Sequence, residues 1–284
     1  KSSNIKYNQP FELLNPPSGG VLKIKGDDKP VPLTYRLNLE NDDFIQKTMI
    51  FDAKSFSIES TFNYSLANTH DQDNVEVSWT SGVFPTEPPL IGSSKAYSQD
   101  ELNYSSIYAY QDGGLESITQ YDNEGVAEDY FGDNKTEWVA MRTKFFATVI
   151  IPDKSADYVE LSSNNLEFRG ENDVTPIYSA SFGGYLNYNS NLQLTIYIGP
   201  LDVDYIDALG DGNVASIMNF GWSIIKPFSR LVLWTVKTLN DFLPLNYGFV
   251  LVLIAFLMRF ITAPLTRRSY ESAAKMKVVA PLQK

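Results

Sequence analysis

Residues 247–265 form one stretch long and apolar enough to constrain everything around it, 19 residues with a single charge, Arg259. An α-helix rises about 1.5 Å per residue, so this length matches a bilayer core and predicts a transmembrane helix. A guanidinium inside such a span costs roughly 2.5–3.5 kcal/mol unless it meets water or an acidic partner. Two placements are open to it. Arg259 either snorkels to the headgroups from near the helix end, or faces a wet cavity.

The residues after the stretch orient it. Arg267, Arg268, Lys275 and Lys277 come within 12 residues of Leu265, opposed only by Glu271. Such a cluster belongs on the cytoplasmic side. Everything before Tyr247 is then expected outside the cytoplasm.

Charge divides at the same place. Residues 214–284 hold nine Lys/Arg and two Asp/Glu, a net of +7; the whole chain is −11, which leaves −18 on residues 1–213. An acidic, soluble-type region therefore precedes a basic, apolar one. The acidic part repels phosphate and excludes nucleic acid as a partner. With no cysteine in the chain, disulfides and thiol chemistry are excluded as well. The chain starts Lys-Ser-Ser-Asn without a signal peptide and stops at Lys284, and is expected to be part of a larger membrane protein.

Residues 1–200 read as β structure. Phe56-Ser57-Ile58-Glu59, Val75-Glu76-Val77-Ser78-Trp79 and Leu192-Gln193-Leu194-Thr195-Ile196-Tyr197-Ile198 alternate with the two-residue period of half-buried strands. Phe145–Pro152 is a continuous apolar run, which suits a strand covered on both faces. Turn signals such as Pro16-Pro17-Ser18-Gly19-Gly20 and Gln111-Asp112-Gly113-Gly114 separate the strands. The expected fold is mainly β, a large antiparallel β-sandwich. Its many Tyr and Phe fit broad sheet faces, or a groove that stacks on sugar rings.

Enzymatic signatures are missing. His70 is the one histidine and lies in a polar run with Asp71 and Asp73, short of a zinc ligand set or a calcium loop. No phosphate loop or nucleophile elbow occurs. The chain is expected to be no enzyme and to need no cofactor or metal. Asp202, Asp204, Asp207 and Asp211 read as a solvated connecting segment over residues 201–213.

Residues 214–243 carry a different pattern. At roughly 100° per residue, Lys226, Arg230, Lys237 and Asp241 fall within about 60° of one another, so all four charges share one helix face. The remaining surface is largely apolar and includes Trp222 and Trp234. This predicts a helix lying along a membrane surface, against the alternative of an amphipathic helix packed on the sandwich.

Several landmarks together carry a family resemblance: Trp138-Val139-Ala140, Phe145-Phe146-Ala147, Ile198-Gly199-Pro200, Gly221-Trp222 and Lys226-Pro227. The densest is Met258-Arg259-Phe260-Ile261-Thr262-Ala263-Pro264-Leu265-Thr266, followed by Ser272-Ala273-Ala274-Lys275-Met276. This ordered string resembles the YidC-type (YidC/Oxa/Alb) membrane protein insertases from about Trp138 to the end; residues 1–137 match in type only. Family members often have glycine after the arginine, where this chain has Phe260.

The resemblance implies a periplasmic β-supersandwich at 1–200, an interfacial helix region at 214–243, a transmembrane helix at 247–265, and the start of a cytoplasmic helical hairpin at 266–284. It implies insertion and folding of membrane proteins in the bacterial inner membrane, alone or with the Sec translocon. Nascent membrane proteins, lipid and the ribosome are the implied partners. Arg259 takes the place of the arginine in the family's hydrophilic groove. The alternative is a membrane-anchored periplasmic module that binds carbohydrate or protein. An anchor alone has no use for an internal arginine.

Overall fold

Alternating aromatic and β-branched residues fold here into strands that are antiparallel at every described pairing. The computed structural model describes residues 11–17, 20–39, 42–65, 74–118, 127–167, 174–185, 191–218, 226–242 and 247–279. His70, Asp71, Asp73 and Trp222 lie outside them. So do the side chains of residues 119–133, Lys226, Ile261, Leu265, Arg268 and 272–284. The chain divides into two compact units, residues 1–218 and 219–284.

The first unit contains β1 (Glu12–Leu13), β2 (Val31–Asn38), β3 (Phe44–Phe51), β4 (Ser57–Ser65) and β5 (Asn74–Trp79). A short helix α1 (Gln99–Leu102) leads to β6 (Ser106–Gln111), β7 (Gly114–Ile118) and β8 (Ala127–Arg142). Then come β9 (Phe146–Pro152), β10 (Ala156–Glu167), β11 (Val174–Tyr185) and β12 (Asn191–Pro200). Helix α2 (Val203–Ile206) and a 3-10 segment, Gly210–Ile217, close the unit. The four strands expected from the sequence are found as β4, β5, β9 and β12.

The strands form one hydrogen-bonded sheet in the order β1-β2-β3-β4-β12-β9-β8-β10-β11-β5, with the β6–β7 hairpin also on β8. Long β8 folds this sheet over. Its first half pairs with β10, and its last residues pair with β9 on one edge and β6 on the other. Register shifts opposite Thr136 in both β10 and β6 mark the bend, as bulges do. The β6–β7 hairpin thereby stacks on β10–β11, giving two layers.

A first core fills the space between them. Ile107, Ala109, Val139, Met141, Ile150, Leu194 and Ile196 from one layer meet Val159, Leu161, Tyr178, Ala180 and Phe182 from the other. Side chains alternate, so the intervening residues Trp138, Ala140, Ala147, Val149 and Tyr197 point to the opposite face. There they are covered by Ile206, Leu209, Val214, Ala215 and Ile217 of α2 and the 3-10 segment. This double cover explains the continuous apolar run of β9.

The segment expected to be a solvated connector therefore has a buried side. Asp204, Asp207 and Asp211 are exposed, as expected, and the Asp202 carboxylate accepts from the Asp204 N–H at the start of α2. Between them Ile206, Leu209, Val214 and Ile217 are driven into the sheet. Residues 214–217 thus go with the sandwich.

Two buried tyrosines give this unit an alkaline limit. Tyr178 donates to the Ser105 carbonyl at 2.8 Å and Tyr197 to the Pro200 carbonyl at 2.6 Å. Burial raises both phenols, Tyr197 to about 12, with Tyr108 reinforcing the first and Asp202 and Tyr205 the second. Each stays neutral in the fold while its unfolded counterpart ionises near pH 10. Their stabilisation is complete below about pH 10 and is lost as pH rises toward the folded values. Burial lowers Lys47, an opposing contribution that is complete once pH passes its ordinary value. The denaturation midpoint should therefore fall above about pH 10, and a Tyr178→Phe/Tyr197→Phe variant should show a flatter fall, though from a lower start. An equal slope in that variant would refute the assignment.

The second unit consists of α3 (Lys226–Phe242) and α4 (Tyr247–Val279), which contact each other. Pro227 occupies the first turn of α3, where its missing N–H costs nothing.

Candidate functional site

Arg259 lies in the middle of α4 with its side chain exposed. The helix runs 33 residues, about 50 Å, from Tyr247 through the arginine and on to the basic residues beyond it. Phe249, Phe256 and Phe260 are exposed along it, so α3 leaves much of its apolar surface uncovered. Pro264 lacks an N–H, which leaves the Phe260 carbonyl, next to Arg259, without its helical donor. Thr262 and Thr266 hydroxyls donate to the Met258 and Thr262 carbonyls, both at 2.8 Å, so this turn of the helix is locally rich in polar groups. Among the described residues no helix is long and apolar enough to cross a membrane. The stretch 247–265 includes Ile261 and Leu265, whose side chains lie outside the described residues.

On α3, Arg230 is exposed, and Trp234, also exposed, lies about 40° around the helix from it on the border of the charged face. Lys237 is half-buried. Lys226 stands at the first position of the helix; the backbone puts it on the same face as Arg230 and Lys237. Of the basic residues after the apolar stretch, Arg267 donates through Nε to Glu271 at 3.2 Å, four residues on. Arg268, Lys275 and Lys277 continue the same helix.

Sequence reasoning missed a cluster that ties the sandwich to the start of the segment leading into α3. The Trp138 ring stacks on Tyr110 at 5.3 Å, and its indole N–H donates to Asn213 Oδ1 at 2.8 Å. The Asn213 amide in turn donates to Glu137 at 3.1 Å. Four residues along β8, the buried Arg142 donates from Nη1 to the Ile217 carbonyl at 2.6 Å and from Nε to the Tyr104 carbonyl at 3.1 Å. Burial lowers this guanidinium from its ordinary value, with the Tyr108 and Tyr104 rings opposing the shift. It remains charged at neutral pH, and places that charge on the last carbonyl of the 3-10 segment, where helix ends accept cations. The only hint in the sequence is a cation directly after the apolar run Trp138–Met141.

A cleft of about 850 Å³ opens beside this cover, lined by Glu59, Glu137, Trp138, Asp153, Gln193 and Asp211 among others. It is mostly polar, and among the described residues no cluster of His, Asp and Glu suits a metal ion.

Residues 9–231 match the family described as the YidC periplasmic domain. The chain is 30% identical over 264 residues to a membrane protein insertase YidC of Prosthecochloris aestuarii, covering 91% of this chain and 43% of that relative. It is 26% identical over 269 residues to the one of Chlorobaculum tepidum, covering 92% and 42%. With that of Chlorobium limicola it shares 27% over 258 residues, covering 88% and 41%. The chain thus spans less than half the length of these relatives. With its two-layered sandwich, its helical cover and a match across most of its length, the chain belongs to the YidC family, of which it carries the periplasmic domain.

Proposed function

We propose that this chain is the periplasmic domain and first groove-forming membrane segment of an inner-membrane insertase, which inserts and helps fold integral membrane proteins. The observation that carries it is the family match over residues 9–231 together with the apolar stretch 247–265 at the start of α4, which holds Arg259. In this reading residues 1–213 lie in the periplasm and α3 rests on the outer leaflet, with Lys226, Arg230 and Lys237 toward water and Trp222 and Trp234 at the interface. Helix α4 crosses the bilayer, and Arg267, Arg268, Lys275 and Lys277 hold its far end in the cytoplasm. The partners are nascent membrane proteins, the Sec translocon and the ribosome.

The chemistry is desolvation rather than bond making. A polar client segment meets a barrier in hydrocarbon, and a wet groove shortens the apolar distance it crosses. Arg259 supplies a positive charge there that attracts acidic residues of the client. Further helices of the multi-pass protein complete the groove.

Protease protection of a client tail in vesicles tests this, with the whole insertase reconstituted. Arg259→Ala should reduce insertion of an acidic-tailed client at least several-fold, Arg259→Lys should keep much of it, and neutralising the client's acids should remove the difference, as for two charges across a partly wet site. Undiminished insertion of the acidic client by Arg259→Ala would refute the role. A membrane-anchored binding module is the second reading, favoured by the cleft on the sandwich. It predicts that deleting residues 1–213 abolishes function, where the insertase reading predicts that a simple client still inserts.

A further inference from the structure

We infer that the end of the sandwich nearest the exit of the chain rests on the lipid surface, through Leu90 and Ile91 at the tip of a braced loop. The inference rests on the reading of α3 as an interfacial helix.

The topology collects one set of strand ends. Arg142 ends β8 opposite Ser106, the first residue of β6; Phe146 begins β9 opposite Pro200, the last of β12. At this same end Arg142 holds the Ile217 carbonyl, one residue before the sandwich unit stops at Met218. Seven residues separate Met218 from Lys226, which span no more than about 30 Å. This end is therefore the one kept near the membrane.

The loop between β5 and β6 is fastened there. The fully buried Glu101 carboxylate accepts the Thr86 and Glu87 N–H groups at 2.7 and 2.6 Å. Lys144, in the β8–β9 turn, bridges Asp100 at 2.7 Å and Glu87 at 3.5 Å. Arg142 holds the Tyr104 carbonyl. With both stems fixed, Pro88 and Pro89 lead into a turn closed from the Ser93 N–H to the Leu90 carbonyl at 2.9 Å, with Gly92 at φ +85°. Its tip presents Leu90 at 85% and Ile91 at 108% exposure. Exposed Tyr104, Phe145 and Phe146 lie on the neighbouring strand ends.

Exposed apolar side chains on a braced tip, beside aromatic rings, suit the headgroup–acyl boundary. Charge supports the choice of lipid. Residues 1–213 carry −18, which an anionic bilayer repels, yet residues 88–99 contain one cation, Lys95, and no carboxylate. The nearest acids, Glu87 and Asp100, are paired with Lys144. The loop tip itself thus brings no carboxylate to an anionic membrane.

The chain has no cysteine, so single labels are clean. The full chain would carry an environment-sensitive nitrobenzoxadiazole dye at position 91, at exposed Lys154 on the opposite strand ends, or at Trp234 of α3. Each is reconstituted in phosphatidylethanolamine/phosphatidylglycerol vesicles with brominated acyl chains. Emission at 91 should fall about two-fold or more, as at 234, and stay unchanged at 154. Adding Leu90→Asp should restore emission at 91 while leaving 234 quenched. Quenching at 234 but not at 91 overturns the inference and leaves the interfacial helix standing. Quenching at neither overturns both.

Discussion

Trp138→Ala should cost the sandwich about 3–5 kcal/mol, the range for truncating a large buried aromatic. The indole is fully buried between Tyr110 and the 3-10 cover, so its loss leaves a cavity where sheet and cover meet. It also removes the donor to Asn213, which loosens the Asn213–Glu137 contact. Gly210 reinforces the point from the other side. It sits at φ +51°, and a Cβ there would lie 2.8 Å from Val214 and 3.3 Å from Trp138, so no side chain fits between the cover and the ring. Trp138→Phe separates the two contributions, keeping a ring while leaving Asn213 without its donor, at about 1–3 kcal/mol. Chemical denaturation followed by circular dichroism measures both. A loss below about 1 kcal/mol in the alanine variant would show that the cover is not held by this residue.

The two-residue period of β5 was legible because its residues alternate between packed and exposed, whereas β12 keeps that alternation only as far as Ile196: Tyr197 is buried on the opposite face under the helical cover and Ile198 is exposed. The β9 run announced a strand covered twice, and the two covers are the second layer and the 3-10 segment. The folding of the sheet at β8 was not legible. Its first half, Ala127–Asn134, mixes acids, glycine and aromatics without alternation, and its pairing with β10 is decided by partners distant in the chain. The cover was hidden by composition: four aspartates dominate 202–211, while the buried Ile206, Leu209 and Val214 are spaced too irregularly to show a period. On α3 the reverse held, because charges on one face are a purely local signal. Arg259 was legible as a charge in an apolar run. Arg142 was not, since its partners are backbone carbonyls 38 and 75 residues away, which no side-chain pattern records.

Arg142→Ala should cost about 3–5 kcal/mol, since two hydrogen bonds from a charged donor are each worth about 1.5–3 kcal/mol and both acceptors are left in a buried place. No carboxylate pairs with Arg142 among the described residues. The charge is instead balanced by carbonyl dipoles and the nearby Tyr104 ring, 6.0 Å away. Arg142→Lys tests this geometry. An ammonium keeps the charge but lacks the planar fork that reaches two carbonyls in different directions, so it should recover about half the loss. Hydrogen exchange locates the effect: the Met218 amide, which donates to Ala215, should exchange faster in Arg142→Ala, while β10–β11 amides keep their protection relative to global stability. A loss under about 1 kcal/mol, or uniform exchange changes across the sandwich, would refute the clamp. If the clamp holds, the same substitution removes one of the three fastenings of the loop carrying Leu90 and Ile91, leaving those of Glu101 and Lys144, and quenching at position 91 by brominated lipid should weaken in part. One buried cation would then couple the stability of the sandwich's exit to the way the domain meets the membrane.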